Sequence, residues 1–257
     1  MDYFIICLAA LIGSGLTLFS GFGLGTILLP VFGLFFPIEI AIILTSIVHF
    51  SNNIMKCIVF GKKANFATIL KFGLPAILFA YLGAILLKSL TFSNPLFEYS
   101  LGGNTFEILP IKLIIGLLLI VFALIDVIPK YKNFEFDKKY LPIGGILSGF
   151  FGGLSGHQGA LRSAFLIRIN LSKEAFIATG VVIACLVDVS RLSVYIPQII
   201  EQKNVLDFKL LLLATLAAFS GIYFGTKLLK KSTIKTIQSI VAVMLFLYAI
   251  LLIFGIL

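Results

Sequence analysis

The sequence predicts an all-α integral membrane protein. Of the 257 residues, 60% are hydrophobic and 12% are charged, and the mean hydropathy is +1.14, whereas a soluble domain has roughly 45–50% apolar and about 25% charged residues. The apolar stretches recur along the whole chain, and most have the length of about 20 residues that an α-helix needs to cross a bilayer. A membrane β-barrel would show alternating segments of about 10 residues instead, and the sequence has none.

Ten apolar segments are predicted as helices. Several are bounded by glycine, proline or paired lysines, which mark helix ends and loops. The second and seventh segments have only 14 residues each, which is too short for an untilted span and typical of half-helices or re-entrant hairpins. The predicted segments are 3–20, 23–36, 38–60, 66–89, 108–128, 140–155, 158–171, 174–197, 208–229 and 234–256.

The two halves of the chain resemble each other at an offset of 135 residues, as Asn53 and Asp188 illustrate. We therefore predict an N-terminal repeat at 1–129, a cytoplasmic linker at 130–139 and a C-terminal repeat at 140–257. The residues that coincide at this offset are Ser20-Gly21 with Ser155-Gly156, Glu39 with Glu174, Asn53 with Asp188, Lys56 with Arg191, and Phe60 with Tyr195.

The loop charges predict that the two repeats have opposite orientations. Loop 61–65 contains two lysines, whereas its counterpart at 201–204 balances Glu201 against Lys203. Connection 89–109 carries two glutamates and no lysine, but its counterpart at 230–235 is strongly basic. By the positive-inside rule, five segments per half produce this inversion and place both termini on the periplasmic side of the inner membrane. Many secondary transporters use such inverted repeats for alternating access.

The net charge of +9 does not indicate a nucleic-acid partner, because the lysines lie in short loops between spans, where membrane orientation accounts for them. The expected partners are membrane lipid and a small anion.

Each repeat begins with a glycine-rich break inside an apolar stretch, at residues 20–26 and 152–163. Glycine lets the backbone unwind and lets a ligand approach it closely. A helix that starts after such a break presents unpaired N–H groups and the positive end of its dipole. Two such ends facing each other would bind an anion. The alternative is that the glycines only permit close helix packing, which does not require the polar run at 155–159.

Polar groups at membrane depth need an explanation, because a charged side chain there costs about 2.5–3.5 kcal/mol on insertion scales. The planar guanidinium of Arg162 suits an oxyanion, although a structural ion pair, with Asp188 as the nearest partner, is the alternative. The predicted substrate-binding residues are Ser20, Gly21, Gly23, Gly25, Asn52, Asn53, Ser155, Gly156, His157, Gln158 and Arg162.

A second set of residues is predicted to gate or couple transport. Asn53 and Lys56, like Asp188 and Arg191, are three residues apart and share a helix face, so the two pairs could line one cavity from opposite sides. Lys56 and Arg191 could instead extend into the headgroups. The two histidines could couple proton movement to anion movement or could simply be hydrogen-bonded in the interior. The predicted gating and coupling residues are His49, Lys56, Asp188 and Arg191.

Several absences in the sequence argue against an enzyme. There is no Walker-type phosphate loop, His-Glu-x-x-His motif, Gly-x-Ser-x-Gly motif or cysteine–histidine cluster. Cys7, Cys57 and Cys185 occur singly in apolar segments, so we expect buried thiols rather than a disulfide or a metal site. No catalytic residue, cofactor or metal is therefore expected.

The first glycine-rich break, followed by Pro30, and its echo at 152–162 resemble the TauE/SafE family of sulfite and organosulfonate exporters. The resemblance covers essentially the whole chain. It implies a secondary carrier that moves sulfite, sulfoacetate or other organosulfonates out of the cell. An importer of the same anions and an anion channel are the alternatives. The sequence does not choose the sulfur compound, the coupling ion or the oligomeric state.

Overall fold

The computed structural model describes residues 2–20, 23–127, 136–201, 206–228 and 231–257. Gly21 and linker residues 130–135 lie outside this part, as does the side chain of Ser20. Within the described ranges the chain forms ten helices and one two-stranded β-hairpin, which confirms the predicted all-α membrane class.

The helices follow the predicted segments closely. Short 3₁₀ turns flank several of them, and residues Ile69–Gly73 form a π-helical turn inside the fourth. The helices are α1 (Asp2–Ser20), α2 (Leu24–Gly33), α3 (Ile38–Phe60), α4 (Phe66–Thr91), α5 (Pro110–Val127), α6 (Leu141–Ser155), α7 (Gly159–Leu166), α8 (Lys173–Glu201), α9 (Phe208–Leu228) and α10 (Lys231–Ile253).

In the described ranges, four helices are long and apolar enough to cross a membrane: Ile38–Lys63, Phe66–Thr91, Lys173–Pro197 and Phe208–Gly225. By contrast, α2 and α7 have 10 and 8 residues. At 1.5 Å per residue, each covers about half or less of the roughly 30 Å hydrocarbon layer. The seventh segment was predicted at 158–171, but its helix, α7, ends at Leu166. The chain leaves the helix there because a 3₁₀ turn follows and Asn170 then adopts a left-handed conformation, with φ 57°.

The hairpin formed by β1 (Phe97–Leu101) and β2 (Asn104–Ile108) was not predicted from the sequence. Its turn consists of Gly102 and Gly103, both with positive φ, which is typical of a two-residue hairpin turn between alternating strands. The Tyr99 hydroxyl donates a hydrogen bond of 2.7 Å to the Phe254 carbonyl. The hairpin connecting α4 to α5 is thereby attached to the end of α10.

Helices α4 and α6 pack backbone against backbone. Gly145, Gly149 and Gly153 recur every four residues along α6, and a Cβ atom on each would come within 2.2 Å or less of a carbonyl oxygen of α4. Small residues allow such close approach between membrane helices, where lipid contributes little hydrophobic driving force. On α9, Gly221 and Gly225 allow the same approach to α1.

The contacts between the two halves are reciprocal. The first helix of the N-terminal half, α1, packs on the fourth helix of the C-terminal half, α9. In the same way the first helix of the C-terminal half, α6, packs on the fourth helix of the N-terminal half, α4. The third helices, α3 and α8, pack on each other, and so do the fifth helices, α5 and α10. Two halves related by a twofold axis would make this set of contacts. The opposite membrane orientation of the halves and the repeat boundaries stay predictions.

We expect Gly149→Ala to destabilise the protein, because the new Cβ would lie 2.2 Å from the carbonyl oxygen of Ala76. Overpacking of this kind costs about 1–3 kcal/mol, and thermal unfolding of the purified protein in detergent measures it. Gly73→Ala is the matched control, because its Cβ would meet its nearest neighbours at an ordinary 3.5 Å. Equal unfolding temperatures for the two variants would contradict the packing argument.

Candidate functional site

The starts of the two half-length helices converge in the interior. A Cβ atom on Gly23, which precedes α2, would lie 4.0 Å from the backbone nitrogen of Gly159, the first residue of α7. A Cβ atom on Gly25 would lie 3.3 Å from the carbonyl oxygen of Gly156. Within the described residues, no side chain caps either start. Both helices therefore direct first-turn N–H groups and the positive ends of their dipoles into one region.

The break before α7 requires glycine at one position. Gly156 ends α6 with φ +80°, and its N–H bonds to the carbonyl of Gly152 at 3.0 Å. This left-handed conformation is the usual glycine C-cap of a helix. A Cβ here would also lie 2.9 Å from a guanidinium nitrogen of Arg191. Gly156 thus reverses the chain and leaves room for the arginine.

A buried carboxylate connects the two halves beside these helix starts. Asp188, on α8, is fully buried. Its Oδ1 accepts hydrogen bonds from Arg191 Nη2 at 2.7 Å and Nε at 3.0 Å. Its Oδ2 lies 2.7 Å from His49 Nδ1 and accepts from Asn53 Nδ2 at 3.0 Å, both on α3. Such complete hydrogen bonding is what a buried ion pair needs to offset its desolvation.

Two further cations, Lys56 and Arg162, have only neutral hydrogen-bond partners. Lys56 Nζ donates to Thr17 Oγ1 at 3.3 Å, and Arg162 Nη1 donates to Gln158 Oε1 at 3.3 Å. Neither forms an ion pair with any residue that the structure describes. The alternative for Arg162, a structural ion pair with Asp188, is not formed among the described residues, because Asp188 is paired with Arg191.

Lys56 and Arg162 line a common cavity at the converging helix starts. Its volume of about 40 Å³ exceeds the roughly 10–15 Å³ that one water molecule requires. Its described lining contains two cations and no carboxylate, so a positive charge is left without a counter-charge in a buried place. The lining residues are Thr17, Gly23, Leu24, His49, Asn53, Lys56, Arg162, Ile177 and Val181.

The proposed internal symmetry recurs in these contacts. Lys56 bonds to Thr17, 39 residues before it, and Arg191 Nη1 bonds at 3.4 Å to the carbonyl of Gly152, also 39 residues before it. Both partners match at the offset of 135. Asn53 and Asp188, themselves 135 residues apart, bond directly to each other. Equivalent residues meet in this way only near a twofold axis, which supports the predicted repeat.

The alternative that Lys56 and Arg191 extend into the headgroups does not fit the structure. Lys56 is 5% exposed and Arg191 is fully buried, and both bond to the helix that opens their own half. Their charges belong to the interior of the helix bundle.

Six of the predicted binding residues that the structure describes lie beside the cavity rather than in its lining: Gly25, Asn52, Ser155, Gly156, His157 and Gln158. The ring of His157 stacks on Phe122, with 5.3 Å between centroids, and its Nδ1 lies 3.1 Å from the Ser155 carbonyl. The Ser155 hydroxyl bonds back to its own helix. Asn52 faces α1, where its Oδ1 accepts a 2.7 Å hydrogen bond from Ser14. Helix periodicity, which separates Asn52 from Asn53 by about 100°, explains why only one of them reaches the cavity.

Thr17 lines the cavity but was not predicted from the sequence. Its hydroxyl bonds both to Lys56 and to the carbonyl of Ser14. The only signal in the sequence is a pair of hydroxyl residues three apart on an otherwise apolar helix, a spacing that places both on one face.

Residues 5–252 match the family described as "Sulfite exporter TauE/SafE". The chain belongs to this family. No curated protein and no solved structure matches the chain. Because the match covers nearly the whole chain, it includes both half-helices and every residue of the cavity. Membership in TauE/SafE makes the chain a multi-pass protein of a transporter family, and it confirms the resemblance drawn from the glycine-rich breaks.

Removal of one member of the Asp188–Arg191 pair should destabilise the fold. We expect Asp188→Asn to cost about 3–5 kcal/mol, because it leaves a buried guanidinium without its carboxylate. The double variant Asp188→Asn/Arg191→Met should recover part of that loss, since no unpaired charge remains. Thermal unfolding of the wild type, both single variants and the double variant measures the coupling. Strictly additive effects would show that the pair contributes no interaction energy.

Proposed function

We propose that this protein is a secondary carrier that exports small sulfur-containing anions, such as sulfite or sulfoacetate, across the inner membrane by alternating access. The observation that supports this most strongly is the pair of cations without carboxylate partners, Lys56 and Arg162, at two converging helix starts. Family membership supports the sulfur-containing class. A buried excess of positive charge is costly without an anion, so the site is suited to receive one.

The bound anion would use three kinds of donor. Backbone N–H groups at the starts of α2 and α7 would bind its oxygens, as helix N-termini do for sulfate and phosphate. The guanidinium of Arg162 offers a planar fork for two oxygens, and Lys56 adds a mobile charge. The amide of Asn53 can contribute a neutral donor. The glycines at 23 and 25 keep side chains out of the space between the two helix starts.

Alternating access would arise from motion of one half against the other around this site. The half-helices α2 and α7 come from different halves, so relative motion changes which side of the cavity is open. Arg191 and Lys56 occupy equivalent positions in the two halves: Arg191 bonds to Asp188 and to the Gly152 carbonyl, and Lys56 bonds to Thr17. We infer that they act as alternate gates, one held closed by a full ion pair and the other by a single neutral contact.

His49 is the better placed of the two histidines for proton coupling. It lines the cavity, and a Cβ on Gly23 would lie 3.5 Å from its Nε2, while its Nδ1 is hydrogen-bonded to Asp188. A proton taken up at His49 would therefore add charge between the bound anion and the buried carboxylate. This geometry supports coupling of proton movement to anion movement through His49.

Arg162→Gln should weaken anion binding. A hydrogen bond to a charged group contributes about 1.5–3 kcal/mol, so the apparent affinity should fall roughly 10- to 100-fold. The measurement is saturable uptake of radiolabelled sulfite, sulfoacetate, taurine and sulfate into proteoliposomes of the purified protein.

Arg168→Gln is the matched control for this experiment. Arg168 follows α7 and is half exposed, where it pairs with Asp137 at 3.4 Å. Its loss removes the same charge from the turn that follows the helix of Arg162 but leaves the cavity intact, so uptake should be unchanged. Equal uptake by the two variants would place the binding site elsewhere. No uptake of any of the four anions by the wild type would remove the sulfur assignment.

His49→Gln should uncouple transport from a pH gradient while leaving the anion site in place. Glutamine can still donate to Asp188 but cannot change its charge. We expect uptake by the wild type to change with an imposed pH gradient and uptake by the variant not to change. His157→Gln should keep the response, because His157 stacks on Phe122 away from the cavity. If uptake by His49→Gln responds to the pH gradient as uptake by the wild type does, His49 is not the coupling residue.

A further inference from the structure

The hairpin between α4 and α5 has one apolar face and one polar face, because successive residues of a strand point to opposite sides. The register pairs Tyr99 with Phe106 on one face. The rings of Phe97, Tyr99 and Phe106 stack on one another along that face. On the opposite face Glu98 is paired with Glu107. The first face holds Phe97, Tyr99, Leu101, Asn104, Phe106 and Ile108, and the second holds Glu98, Ser100, Thr105 and Glu107.

The apolar face is only partly covered by protein. At its centre, Tyr99 and Phe106 are half-buried, and the Tyr99 hydroxyl is bonded to the Phe254 carbonyl at the end of α10. At its two ends, Phe97 is 59% exposed and Leu101 is 69% exposed. Exposed apolar surface beside a polar face is typical of a site that contacts a membrane or another protein.

The exposed apolar surface of α4 leads directly into this face. Leu78, Ile85 and Phe92 are spaced by seven residues, which places them on one side of the helix, and all three are exposed. Since α4 is long and apolar enough to cross the membrane, this side faces lipid. The chain then continues through Leu96, which is 62% exposed, into Phe97. The apolar face of the hairpin therefore extends a surface that already meets lipid chains.

The backbone and the charges of the hairpin limit how deep it can lie. A sheet of two strands leaves the N–H and C=O groups on its outer edges without ladder partners, and such groups are not tolerated against hydrocarbon. Glu98 and Glu107 are like charges directly opposite each other and need water between them. The hairpin therefore fits the boundary between headgroups and acyl chains, with its apolar face toward the chains and its glutamates toward water.

We propose that this hairpin is an anchor in the membrane interface, which binds phospholipid at the boundary between headgroups and acyl chains through its apolar face. Residues 89–109 contain no lysine or arginine. The contact therefore relies on apolar burial and on aromatic rings rather than on attraction to anionic headgroups. Because Tyr99 also bonds to the Phe254 carbonyl, the anchor holds the adjoining ends of α4, α5 and α10 at one depth in the bilayer.

Tryptophan fluorescence tests the anchor, because the chain contains no tryptophan and a single introduced indole reports only on its own surroundings. Phe97→Trp and Leu101→Trp place the indole on the apolar face. Ser100→Trp, on the polar face of the same strand, is the matched control. Each full-length variant is placed in phosphatidylcholine nanodiscs that carry bromine near the headgroup end or near the methyl end of the acyl chains. Parallel samples without bromine receive soluble iodide, which reaches both sides of a nanodisc.

The two faces should respond to different quenchers. Because the apolar face of an interfacial segment lies about 5–10 Å into the headgroup–acyl boundary, shallow bromine should reduce the emission of Phe97→Trp and Leu101→Trp to about half or less. Deep bromine should reduce it less. Ser100→Trp should be quenched by iodide and by neither brominated lipid.

Three results would overturn the anchor. Quenching of all three variants by iodide alone would mean that the hairpin projects into water. Protection of Phe97→Trp from both iodide and bromine would mean that a second copy of the chain covers the face. Equal quenching of Ser100→Trp and Leu101→Trp by bromine would mean that the hairpin has no side directed to lipid. The measurement does not involve transport, so its outcome is independent of the proposed function.

Discussion

The buried carboxylate of Asp188 is the point on which the rest of the structure depends. It accepts hydrogen bonds from its own helix through Arg191 and from the other half through Asn53, and it lies against His49. Arg191 in turn reaches the carbonyl of Gly152 at the break before α7. One negative charge thus connects α3, α6 and α8. Because a buried charge is tolerated only with such partners, the helices that supply them are fixed relative to each other.

The same interaction explains the character of the cavity. The negative charge of Asp188 is taken up by Arg191, so Lys56 and Arg162 remain without a counter-ion among the described residues. Had Arg162 paired with Asp188, the cavity would have lost one of its two cations. The converging starts of α2 and α7 add their dipoles in the same sense. The structure therefore concentrates positive potential at one interior place, which is the physical basis for proposing an anion there.

Close backbone packing makes this arrangement possible. The glycines of α6 allow it to lie directly against α4, and those of α9 allow the same approach to α1. These two contacts hold the first helix of each half against the opposite half. The half-helices that follow α1 and α6 are thereby brought to a common centre. In lipid, where burial of apolar side chains drives helix association only weakly, such surface complementarity carries much of the stability.

The sequence by itself determined the membrane class, most helix boundaries and the two half-length helices, because apolar length and glycine breaks are local properties. For α3 the predicted and observed ranges coincide at 38–60. The sequence also paired Asn53 with Asp188 through the offset of 135 residues between the two halves. Only the tertiary structure decided that Arg191 binds Asp188 and that Asn53 rather than Asn52 faces the cavity. These facts depend on the direction of each side chain around its helix and on which helix lies opposite, and neither is encoded in local spacing.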